Sequence, residues 1–524
     1  MEADYIVVGT GSAGSVLANR LSADPAASVV VLEAGPKDKN KFIHIPAAFS
    51  KLFRSEVDWD YRTEPQKQLD GREIYWPRGK MLGGSSSMNA MMWVRGFAAD
   101  YDEWGALAGA DWDFAHIAKY FAKIEAGPLV ISPQRSPRSS TAAWLTAVRE
   151  CGYDVESPNC DAPEGFCETV VTQRRGARWS AADAYLKPVL RRPNLTLQTE
   201  ATATRVLFDG RRAVGVEFSQ LGQRRVVRAR REVVLAGGAV NSPQLLQVSG
   251  VGPADLLGKL GVPVVHELRG VGSNFRDHYA SRFVMRAKPG VETLNELARG
   301  LKLGAQIARW AMGKPSILAT APSHVHVFWK SFEGLDEPDL QCVFTPGSYA
   351  EGKVYVLDEI PGVTAGAWQH RPESTGWVRA RSANVFEDPE INPNYLSAPM
   401  DRQVHLGGMR LLRRMLGTPE LGQYVDAETL PGPDVQTDDE LLDFAKRNGS
   451  TTYHLIGTAR MGPETDPSAV VSDRLLVHGM QGLRVVDASI MPGMPSANTY
   501  ATTLMIAEKA ADFIRGREAV AEAA

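Results

Sequence analysis

The 524-residue sequence predicts an α/β chain, α+β overall, in which one domain is assembled from distant segments around an inserted second one. Three observations carry this. Residues 5–33 run strand, glycine turn, helix, strand. Two further buried strands, at 231–238 and 483–487, end in glycines and in an acid and lie far apart in the chain. Between about 291 and 445 the chain has its own pattern: helical spacing from Leu294 to Met312, and strand-like Gln341-Cys342-Val343-Phe344 and Gly376-Trp377-Val378-Arg379-Ala380.

Composition bounds the function. Apolar residues make up 44% and charged residues 23%, the proportions of a globular domain. The length suits about three domain-sized units, or two large interleaved ones. A net charge of −3 gives no field to attract nucleic acid. The four cysteines, Cys151, Cys160, Cys167 and Cys342, make no disulfide framework and have no zinc spacing, so no metal is expected. The start of the chain is acidic and lacks a signal-peptide pattern, and no apolar run reaches membrane-spanning length. A cytoplasmic location and a monomer or small homo-oligomer are the expectations.

The first element is the most informative. Tyr5 to Val8 is an apolar strand, followed at once by Gly9-Thr10-Gly11-Ser12-Ala13-Gly14 and then by a helical pattern through Val16, Leu17 and Leu21. Gly9 permits the tight turn, Gly11 the approach of a pyrophosphate, and Gly14 close packing of helix on strand. The helix N-terminus offers unpaired N–H groups to phosphate. Val29 to Leu32 is a second strand and ends at Glu33, placed to accept the ribose hydroxyls of an adenosine. This is a Rossmann-like dinucleotide site, and the pattern alone serves NAD and FAD equally.

The next element is a loop, Arg78-Gly79-Lys80-Met81-Leu82-Gly83-Gly84-Ser85-Ser86-Ser87-Met88-Asn89, followed directly by an apolar run to Trp93, so the loop is read as packed. Arg231 to Gly238 is a strand ending in glycines, and Ser242-Pro243 starts a helix reaching Ser249-Gly250-Val251-Gly252. Near the end, Leu483 to Val486 is a buried strand closing on Asp487. After Asn498 comes a helix over Thr499 to Arg515.

On these motifs the chain resembles the glucose–methanol–choline oxidoreductases, over almost its whole length. One signature spans Gly79 to Asp102 and another Gly238 to Gly252; the match is best to the choline- and alcohol-dehydrogenase-like bacterial branch. The resemblance implies FAD, with Gly9, Gly11 and Gly14 at the pyrophosphate and Glu33 at the ribose. Gly83, Ser85 and Asn89 would line the flavin, and Asp487 and Ala488 would lie by the diphosphate and ribityl chain. It extends the cofactor set to Ser12, Ala13, Ala34, Arg78, Gly84, Ala90, Met91, Val206, Ala236, Gly237, Asn498 and Thr499. Some relatives link the flavin covalently through a His that is Met88 here, so FAD is expected to be non-covalent.

The resemblance also selects one of the ten histidines, His454, as catalytic base, with Asn498 as its partner. The expected reaction takes an alcohol to an aldehyde or ketone. His454 removes the hydroxyl proton and the hydride goes to flavin N5. A neutral imidazole is available as a base at pH 7, whereas an amide only orients. Asn498 also reads as a plain helix cap, and one Asn could serve both roles. The electron acceptor is oxygen, a quinone or a carrier protein. The second reading is a lyase or decarboxylase on the same fold. Choline itself is disfavoured, since aromatics are present but no evident carboxylate for a quaternary ammonium. His324 and His326 face one way on a strand and lack a third metal ligand.

Architecture follows the same resemblance: an FAD domain interleaved with a substrate domain built on an antiparallel six-stranded sheet with helices on one face. Residues 1–290 form the first part, with lid and substrate-domain pieces around 40–70 and 128–190. Residues 291–445 form the substrate domain, and 446–524 return to the FAD domain with the catalytic residues.

Overall fold

The computed structural model describes residues 1–135, 139–150, 152, 157, 159–160, 164–351 and 356–516. Cys151 and the tail after Gly516 lie outside them. In chain order, strands β1 (Glu2–Val8) and β2 (Val29–Leu32) flank helix α1 (Ser12–Leu21). Helix α2 (Ser139–Glu150) and strand β3 (Gly165–Glu168) follow. Strands β4 (Leu195–Gln198), β5 (Ala201–Asp209), β6 (Arg212–Gln220) and β7 (Gln223–Leu235) lead into helix α3 (Gly238–Val248). Strands β8 (Tyr279–Ala287), β9 (Val325–Trp329), β10 (Leu340–Thr345) and β11 (Gly362–Gln369) precede helix α4 (Pro399–Leu416). Strand β12 (Val425–Leu430), helix α5 (Asp438–Asn448), strands β13 (Ser450–Thr451) and β14 (Leu483–Val485) and helix α6 (Thr499–Arg515) complete the frame.

The first sheet has the order β4-β2-β1-β7-β6-β5, with β14 also paired to β7. Its centre is parallel and its β7-β6-β5 edge antiparallel. Strands β1 and β2 are buried on both faces apart from Glu2, which is why Tyr5–Val8 and Val29–Leu32 read as unbroken apolar runs. The second sheet is antiparallel, ordered β12-β8-β11-β10-β9-β3 with β13 on β8, so it has seven strands rather than six. It recruits β3, β8 and β13 from outside residues 291–445. Strand β8 in particular is placed in the second sheet although the sequence boundary at 290 assigns it to the first domain.

The period of two decides what each face of the second sheet does. Phe283, Val325, Val327, Cys342, Phe344, Val363, Ala365 and Ala367 point to one side and pack with apolar residues of α2, α4 and α5. The other side, carrying Arg282, Val343, Thr345, Thr364, Gly366 and Trp368, roofs a cavity whose floor is the first sheet. Three further sequence expectations resolve differently: the helix read as starting at Ser242-Pro243 begins at Gly238, with Pro243 inside it. Residues 294–312 form two helices, Leu294–Leu297 and Gly300–Ala311, broken where Gly300 takes φ 50°. Trp377–Arg379 pairs with Glu390–Asn392 and packs near α3, apart from the large sheet. No helix among the described residues is long and apolar enough to cross a membrane.

Candidate active site

At the floor of the cavity β1 turns into α1. Gly9 takes φ 101°, and an added Cβ at Gly14 would lie 1.9 Å from the Gly9 carbonyl oxygen, so only glycine lets this helix sit so close. A Cβ on Gly11 would meet nothing within 4 Å, because it would project into the cavity. Gly11 gives α1 no side-chain cap, which leaves its first N–H groups to a ligand. Glu33, 5% exposed, accepts from the Thr10 and Gly35 N–H groups at 2.9 Å each and from the Thr10 hydroxyl. Burial pushes its carboxyl up against those bonds.

The 78–91 loop is packed. The Ser86 hydroxyl donates to the Gly83 carbonyl at 2.6 Å and the Ser87 hydroxyl to Leu82 at 2.7 Å. Asn89 Oδ1 accepts the Met91 N–H at 3.0 Å and Arg178 Nη1 at 2.8 Å, holding Met91 at φ 64° on the cavity wall. Arg178 is buried, also donates to the Ile43 and Ser86 carbonyls, and is pushed down to about 10 by burial. Asp487 closes the floor: its carboxylate accepts from Gly238 N–H at 2.8 Å, Ser242 at 2.6 Å and Ser489 N–H at 2.8 Å. It ties β14 to the start of α3, so its oxygens are committed to protein.

The candidate catalytic pair lies under the roof. His454 Nε2 is 2.9 Å from Asn498 Nδ2. The Asn498 side chain makes no cap bond to α6; its Oδ1 accepts Gln341 Nε2 at 3.4 Å instead, so the simple-cap reading fails. The other ring nitrogen of His454, Nδ1, lies 2.8 Å from Thr452 Oγ1 and 2.9 Å from His278 Nδ1. The turn before it is strained, with Tyr453 at φ 70°. Asp277 holds that turn, accepting the His454 N–H at 2.7 Å and the hydroxyls of Thr451 and Tyr395. Burial, with the nearby His278, Arg78 and His326, keeps the His454 imidazole well below its ordinary value, so it is neutral.

All the expected cofactor and catalytic residues line this cavity except Gly14, Gly83 and Val206. Gly14 acts through packing. Gly83 supports the loop at φ 89°, its N–H 3.3 Å from Thr10 Oγ1. Val206 is a correction: its side chain is core, its N–H bonds Ser249 Oγ at 2.8 Å, and the wall is made by Ala201, Thr202 and Ala203 at the start of β5. At ~3.3 Å per residue, Val206 is roughly 10 Å farther along that strand.

The GMC oxidoreductase family model matches residues 3–280 and 372–507. The chain belongs to the GMC oxidoreductase family. It is 49% identical to a GMC-type oxidoreductase of Mycobacterium bovis, covering 98% of this chain and 99% of the other. It is 42% identical to human mitochondrial choline dehydrogenase (99% and 91%) and 39% identical to an acceptor-dependent alcohol dehydrogenase of Pseudomonas putida (98% and 95%). Among solved structures it resembles pyridoxine 4-oxidase from Mesorbium loti, with TM-score 0.89, 30% identity and coverage of 98% and 99%. None of these relatives is named as a lyase. This GMC oxidoreductase is an FAD-dependent enzyme acting on CH–OH donors.

The walls fit FAD. The open face of Gly11, the uncapped start of α1 and the Glu33 carboxylate suit its diphosphate and ribose, and α6 presents a second uncapped N-terminus with Thr499 on the wall. Sequence reasoning missed Asp277, His278, Gln341 and Arg178. His278 and His454 are 176 residues apart, and no spacing rule connects them. His324 precedes β9 and its Nδ1 bonds Thr141 Oγ1 of α2 at 3.0 Å, while His326, within β9, bonds Thr169 Oγ1 through Nδ1 at 3.1 Å. The Asp38, His44 and Asp183 cluster already holds a cation: the Lys187 ammonium pairs with both carboxylates. Burial pushes the Cys167 and Cys342 thiols up, away from thiolate chemistry.

Proposed function

We propose that this GMC oxidoreductase oxidises a neutral primary or secondary alcohol to the aldehyde or ketone, with His454 as the base. The approach of His454 Nε2 to Asn498 Nδ2, 2.9 Å apart on the cavity wall, carries this reading. A substrate hydroxyl entering there accepts from the Asn498 amide and donates to His454 Nε2. Bound FAD supplies the hydride acceptor. The uncapped positive end of α6 faces the same cavity and favours negative charge there. A positioned base is typically worth about 10²–10⁴ in rate.

The preference for a neutral alcohol has its own support. The acids on the wall, among the described residues, are Glu33 and Asp487, both at the cofactor end, while the roof brings Arg282. No carboxylate there matches a quaternary ammonium. Met88 on the wall has no nitrogen to bond a flavin, which supports non-covalent FAD. Denaturation releasing all the flavin checks that point.

The test is the visible spectrum under anaerobic conditions. An alcohol of this class bleaches the flavin, and His454→Gln slows bleaching by about 10²–10⁴ while keeping the flavin. Admitting air then separates oxygen from a quinone or carrier protein as acceptor. Unchanged bleaching in His454→Gln removes His454 as the base; bleaching by choline and by no neutral alcohol overturns the substrate class.

A further inference from the structure

A chain of hydrogen bonds behind His454 begins at a group that can only accept. The carbonyl oxygen of His370 lies 2.6 Å from His278 Nε2. A carbonyl has no proton to give, so His278 Nε2 carries one and donates it. His278 is fully buried, and burial pushes its imidazole down to about 4, so the ring holds that one proton only. Its Nδ1 is therefore a bare lone pair. That lone pair faces His454 Nδ1 at 2.9 Å, the two rings standing at 89°. For a bond to form there, His454 Nδ1 must carry the proton, and a neutral His454 then leaves Nε2 bare.

We propose that His278 is a positioning residue that fixes the tautomer of His454, reading the His370 carbonyl and presenting the base with its Nε2 lone pair free toward Asn498. Two further contacts agree. Thr452 Oγ1 lies 3.3 Å from the His278 carbonyl, to which it donates, so its oxygen is free to accept from His454 Nδ1. A hydroxyl alone accepts or donates equally well and selects no tautomer; the His278 lone pair does. At the far end Asn498 turns its Nδ2, a donor, toward His454 Nε2. The same arrangement contains the proton: once His454 takes it, passage through His278 ends at a carbonyl, so the proton leaves from the cavity side.

The proposal rests on His454 as the base, and the test separates the two. ¹⁵N-histidine spectra of the FAD-loaded enzyme, with His454 assigned by comparison with His454→Gln, report the tautomer directly. The expected result is a protonated Nδ1 and a bare Nε2 at His454; a protonated Nε2 overturns the proposal whatever any variant does. His278→Phe removes the acceptor, and a mixed tautomer with flavin reduction slowed about fivefold or more, the rate equivalent of one neutral hydrogen bond, is expected at unchanged flavin content. His278→Asn keeps an acceptor oxygen near the same point and restores both tautomer and rate. Slower reduction with an unchanged tautomer in His278→Phe, or no rescue by His278→Asn, marks a merely structural residue and overturns the proposal. Should His278→Phe fail to fold, the wild-type spectrum and His278→Asn still decide. Wild-type rates in His454→Gln sink the base reading alone.

Discussion

A base that works at neutral pH must be uncharged there, and burial provides this for His454, the proposed base. Its imidazole is held well below the ordinary 6.5 by desolvation first and by His278, Arg78 and His326 next. The sign is simple: the base acts when deprotonated, so activity is lost only as pH falls through the lowered value. The kcat/KM for flavin reduction is expected to be flat from 6.5 upward; an acid limb centred at or above 6.5 contradicts the burial argument. Asp277 is the second residue to test. Burial pushes its carboxyl up, while Thr451, Tyr395, the His454 N–H and Arg78 oppose that. Asp277→Asn weakens charge-assisted bonds that hold the strained Tyr453 turn, and should cost about 1.5–3 kcal/mol in denaturant unfolding. His454 and Asn498 were legible because short local motifs flank them. Asp277 and His278 were not, because an acid and a histidine at the start of a strand acquire meaning only from what the second sheet brings opposite them.

Among the elements, α1 and α6 set the cofactor end, since both aim an uncapped N-terminus into the cavity and pack together. Their junction is ionic. Glu508, fully buried on α6, pairs with Arg20 of α1 at 2.6 Å and with Lys123 at 2.9 Å. Burial raises its carboxyl, but those two cations outweigh burial and hold it below the ordinary value. The stabilisation is therefore present above the unfolded carboxylate value and is lost as pH falls through the lowered one. Glu508→Ala leaves Arg20 and Lys123 without their buried partner and should cost about 3–5 kcal/mol, read as a lower unfolding midpoint with reduced flavin retention. A wild-type midpoint would show that the helices dock without the pair. The helix starts themselves were legible from glycine spacing and from Asn498 ahead of an apolar run. The break at Gly300 was not: one glycine within helical spacing is common, and tertiary contacts decide whether it bends.

At the scale of the molecule, the two sheets are two walls of one chamber. Its lining runs from Val8 to Thr503, the floor from the first sheet and the roof from the polar face of the second. The sequence marked the floor clearly, because phosphate binding needs glycines at fixed offsets. It marked the roof poorly, because Arg282, Thr345 and Thr364 carry no motif and share a face only through strand register. The shared chamber has a thermodynamic consequence. FAD that binds only the folded chain adds RT ln(1 + [FAD]/Kd) of stability, about 2.7 kcal/mol at a hundredfold excess over Kd. Since its walls come from both sheets, that gain should reach both. Stripping FAD is expected to lower the unfolding midpoint of a single transition, with tryptophan fluorescence and far-UV circular dichroism still coincident, and adding FAD back should restore it. Two transitions, of which only one moves with FAD, would mean that the sheets fold independently and that the chamber is assembled after them.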